Sequence, residues 1–170
     1  MNDKDEEQRL FNESERPALV KLFHTALIYL AVLIAASLGS SIFFVAHPPE
    51  PRVLLAVTAG LLGSAIAALM SCVQRHADGF EDISGAQIPH SKERKERFNR
   101  GMFYWFLVRP WLGGVVGAVA YWSLVAKVFG DKGDLDANLP RLAFYSFLAG
   151  LLAKSLLEIF SGLLKNVFKK

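Results

Sequence analysis

The chain has 170 residues, 52% of them hydrophobic, with a formal net charge of +3 and a single cysteine, Cys72. So apolar a composition in so short a chain argues against a water-soluble domain, and one cysteine excludes an intramolecular disulfide and a thiolate zinc cluster. The basic residues border the apolar runs, where they orient helices and meet anionic lipid headgroups, so they are not read as a nucleic-acid footprint.

Residues 1–18 form a polar leader in which Asp3, Asp5, Glu6, Glu7, Glu13 and Glu15 are balanced by Lys4, Arg9 and Arg16. It is too polar to build a core of its own. Ser14, Glu15, Arg16 and Pro17 then read as a helix start, because proline is tolerated in a first turn whose N–H groups have no helical partner. The apolar run from Leu19 to Ala46 that follows is far longer than the roughly 7–15-residue apolar stretch of a cleavable signal peptide. It is expected to stay as a first membrane span over 19–46. His47, Pro48, Pro49, Glu50 and Pro51 break it, and so short a connection makes the second span, 52–74, run back antiparallel.

From Arg75 to Gly101 the chain is polar, with Asp78-Gly79, Gly85, Pro89 and the charged run from Lys92 to Arg97, which reads as a short surface helix. A third span is expected over 102–128, then an acidic turn from Gly130 to Pro140, then a fourth span over 141–166. These are four runs near the roughly 20 residues that cross a bilayer. The fold class expected is therefore all-α, a membrane-embedded four-helix bundle made of two antiparallel hairpins, with residues 19–170 as the membrane domain.

Thirteen lysines and arginines outside the deep membrane fall in or beside the leader, the central loop and the tail, against four (Arg52, Lys127, Lys132 and Arg141) in or beside the two hairpin turns. The positive-inside rule then puts both termini and the 75–101 loop in the cytoplasm of a bacterial inner membrane. Tyr104, Trp105, Trp111, Tyr121 and Trp122 are expected toward the two ends of the third span as aromatic anchors.

Three ionisable residues lie inside the apolar runs: Arg109, Lys154 and Glu158. Charge at such depth costs at least about 2.5 kcal/mol on insertion scales, so these residues should face the bundle interior, find partners or mark a polar path. At 1.5 Å per residue Arg109 is roughly 12 Å in and Glu158 roughly 10 Å in, which predicts an ion pair between them. Ser146, Gly150, Lys154, Glu158 and Gly162 recur every four residues as one small, polar stripe. That stripe either packs on another helix, with Lys154 snorkelling or pairing with Glu158, or lines a pore formed by several copies; a proton relay through Glu158 is a further reading.

Gly113 and Gly117, with Gly114 and Ala118 one step over, let another backbone approach closely, as do Ala56, Gly60, Ser64 and Ala68. Such seams serve contacts within one chain or between copies. Pro110 removes a backbone donor and marks a bend, either structural or a hinge for gating. His76, Asp78, Glu81, Asp82 and His90 have no compact metal-site spacing, and no nucleophile elbow, Walker loop or H-E-x-x-H is present, so neither an enzyme nor a cofactor is expected.

Arg109-Pro110 with Gly113, Gly114 and Gly117, then Phe147-Leu148-Ala149-Gly150 leading to a leucine-rich end with Glu158, resembles a pattern in small bacterial four-helix membrane proteins. The likeness covers about the last 70 residues, and Leu151-Leu152 depart from it where a more polar turn would stand. Some such proteins are effectors or sensors in defence systems, and the resemblance implies that role here. The functional expectation is a non-enzymatic, self-associating membrane protein that forms an ion-conducting pore or membrane effector under a cytoplasmic partner acting at the 75–101 loop. The alternatives are a scaffold or accessory subunit anchoring a larger complex, and a small transporter.

Overall fold

Four helices account for nearly all of the chain that the computed structural model describes, which is residues 3–50, 52–77, 100–126 and 138–155, with side chains from Pro17 onward. They are α1 (Asp3–Ala46), α2 (Val53–Ala77), α3 (Arg100–Val125) and α4 (Leu139–Leu151). There is no strand among the described residues. α1, from Pro17 onward, α2 and α3 are each long and apolar enough to cross a membrane, and α4 is a shorter apolar helix.

The helix expected to start near Pro17 starts at Asp3 and runs through that proline for 44 residues. Glu, Gln, Lys, Arg and Leu dominate the leader, and all are good helix formers, so a segment too polar for a core still extends a helix. At 1.5 Å per residue α1 is about 66 Å long, roughly twice the hydrocarbon thickness. Its far end falls where the proline-rich turn requires, at Ala46, with the His47 N–H donating to the Phe43 carbonyl at 2.7 Å.

α2 continues to Ala77, three residues beyond the expected span, and carries Arg75 and His76 in its last turn, where the helix dipole favours cations. Asn138 caps α4, its side chain accepting the Arg141 N–H at 3.3 Å, and Pro140 occupies the first turn. After a turn at Leu152 the helical conformation resumes over 153–155. The remainder of the expected fourth span, with Glu158 and Gly162, lies outside the described residues, as do most of the central loop and the acidic turn.

α2 is the central helix, packing extensively on α3 and α4 and also on α1, whereas α1 touches α3 only lightly. One apolar cluster joins Phe23, Ala26 and Leu30 of α1 to Ala68 and Cys72 of α2 and Phe106 of α3. The other joins Leu55 and Ala56 of α2 to Leu142 of α4, with Phe44, Tyr121 and Leu124 around them. The pairing fixes the topology: α1 and α3 run one way, and α2 and α4 the other. One end of the bundle gathers Ala77 and Arg100, and the other gathers Glu50 and Asn138.

The distribution of polarity is that of a protein in lipid. Ile28, Val32, Ile42 and Phe43 of α1 are exposed, as are Tyr104, Val108, Trp111, Val115, Val119 and Trp122 along one ridge of α3. Serines 37, 41, 64 and 146 and Arg109 are buried instead. A water-soluble bundle with so large an exposed apolar surface would aggregate, whereas acyl chains accept it without cost.

Candidate functional site

Gly60 is where three helices meet. A Cβ placed there would stand 2.5 Å from the Gly113 carbonyl oxygen and 2.9 Å from the Gly117 Cα, both backbone atoms of α3. On its other side, a Cβ on Gly150 would run into the Gly60 carbonyl, and one on Gly63 would stand 2.9 Å from the Leu151 nitrogen. The seams legible as small-residue spacing, Gly60 and Ser64 on α2 with Gly113 and Gly117 on α3, thus face each other within one chain. Gly114 lies one step off that line, where a Cβ would find Val57 Cγ1 at an ordinary 3.4 Å.

One turn along from this crossing is a polar node. The Ser64 hydroxyl, fully buried, donates to the Arg109 backbone carbonyl at 2.9 Å. Arg109, only 7% exposed, donates from its guanidinium Nη1 to the Ser71 hydroxyl at 3.0 Å. Arg109 is nine residues into α3, about 14 Å from Arg100, while Ser71 is six residues from Ala77, about 9 Å from that end. The side chain therefore reaches back toward the nearer interface, in the manner of a snorkelling cation that keeps its stem in apolar surroundings.

On the opposite side of the same turn of α3 is a second polar contact. The Tyr29 hydroxyl of α1 donates to the Leu107 carbonyl at 3.1 Å and accepts the Trp111 indole N–H at 2.9 Å. Trp111, expected near a helix end as a headgroup anchor, is instead at the middle of α3, and its polar atom is engaged by another helix. Further toward the Glu50 end, Ser41 of α1 donates to the Thr58 hydroxyl of α2 at 3.3 Å, and Thr58 in turn donates to the Leu55 carbonyl at 3.1 Å.

Of the polar stripe, Gly150 is buried against Gly60 of α2, Ser146 is also buried, and Lys154, beyond the end of α4, is exposed. The Ser146 hydroxyl has no hydrogen-bond partner. Glu158 and Gly162 complete the stripe in sequence but are not described, so the expected Arg109–Glu158 pair lies outside the described residues. Pro110 is fully buried within α3. Sequence spacing gave no notice of Ser71 or Tyr29, because a lone hydroxyl in an apolar run has no periodicity to mark it.

Chemically, the node offers one buried cation whose guanidinium is bonded to the Ser71 hydroxyl. No group of three His, Cys, Asp or Glu side chains that could hold a metal ion occurs among the described residues. Comparison with known proteins returned no match: no family model, no curated protein and no solved structure matches this chain.

Proposed function

We propose that the chain is a four-span, non-enzymatic protein of the bacterial inner membrane with both ends in the cytoplasm, and that its bundle is a scaffold or accessory anchor. In this role it holds the leader, the tail and above all the 75–101 loop at the membrane surface for a protein partner. The orientation rests on the thirteen-to-four excess of basic residues on that side. The observation that carries the role is the use of the small and polar groups inside one chain. Gly60 is enclosed by Gly113, Gly117 and Gly150, and Ser146 is buried, so the upper stripe of α4 is already covered within the chain. A rigid, internally sealed bundle suits an anchor.

A second reading, a self-associating pore or membrane effector, is favoured by Lys154. It is exposed about 22 Å along the axis from Leu139, a depth at which a charge needs water, a partner or the reach of its own stem. Copies arranged around an axis could present Lys154 as a ring that selects ions.

Ion flux through liposomes holding the purified protein separates the two. The anchor reading expects flux equal to that of protein-free liposomes at every potential, with Lys154→Ala and Glu158→Ala the same as the native chain. Selective flux that either substitution changes, at unchanged oligomeric size, would replace the anchor with the pore.

A further inference from the structure

We draw no further inference here: the strongest candidate, the exposed apolar ridge that Tyr104, Val108, Trp111, Val115, Val119 and Trp122 form along α3, carries nothing because nothing in the structure shows what covers it.

Discussion

A single methyl group at Gly60 should be among the most damaging small changes to this bundle. The added Cβ would sit 2.5 Å from the Gly113 oxygen and 2.9 Å from the Gly117 Cα. Ordinary contact needs roughly 3.5 Å, so α3 must retreat by about 1 Å along its tightest seam. Both neighbours are backbone, which has no rotamer to yield, and retreat also loosens the Ser64 bond to Arg109. Overpacking of this kind costs about 1–3 kcal/mol, against which alanine returns about 0.5–1 kcal/mol of helix propensity, leaving a net loss of about 1 kcal/mol at the centre of both ranges and about 2.5 kcal/mol at most. Two controls come from the same chain. Gly39→Ala has nothing within 4 Å of the new carbon, and Gly114→Ala meets Val57 at 3.4 Å. Both should stay within about 0.5 kcal/mol of the native chain or gain slightly. Reversible unfolding in detergent, followed by alkylation of the fully buried Cys72, the sole cysteine, measures all three. If Gly60→Ala is as mild as Gly39→Ala, the three-helix crossing at Gly60 is misplaced.

Three further outcomes are expected from the same unfolding assay and from labelling. Ser71→Ala strips an acceptor from a buried guanidinium and should cost about 1–3 kcal/mol; Arg109→Met removes the charge together with its need and should cost less, so the reverse order would contradict the snorkelled placement of Arg109. Ser146→Ala removes a buried hydroxyl that has no partner and should leave stability unchanged or raise it by up to about 1 kcal/mol; a clear loss would show that the hydroxyl is satisfied after all. Native Cys72, fully buried, should resist maleimide in the folded protein and react once detergent unfolds it; rapid labelling of the folded chain would place it outside the core.

Much of the fold was legible because the physics that sets it is local. Apolar run length gave the spans of α1, α2 and α3, and the proline-rich turn gave the end of α1 at Ala46. The N-terminal boundary was not legible. The leader has the polarity of a segment without a core but the composition of a helix, and polarity alone does not decide between the two. Spacing of four identified the Gly60–Ser64 and Gly113–Gly117 seams, since residues four apart share a helix face. It could not say which helix each seam faces, because the partner is set by the packing of the whole bundle. Arg109 stood out as a charge at depth, whereas its hydroxyl partner Ser71 did not, and the Tyr29–Trp111 contact joins residues 82 apart in sequence. Trp111 was misread as an interfacial anchor because composition marks a tryptophan without saying whether its indole meets a headgroup or another helix.

Cysteine accessibility across the membrane tests the account most directly, because every functional reading above depends on the bundle spanning the bilayer in one orientation. In a Cys72→Ala background, single cysteines at Glu50, Ala77 and Asn138, all at exposed positions near helix ends, are probed in intact cells with an impermeant maleimide. The account predicts labelling at Glu50 and Asn138 from outside, with Ala77 reacting only after the membrane is opened. Labelling of all three alike would contradict a bundle that spans the membrane, and labelling of Ala77 alone would invert its orientation and move the 75–101 loop away from any cytoplasmic partner.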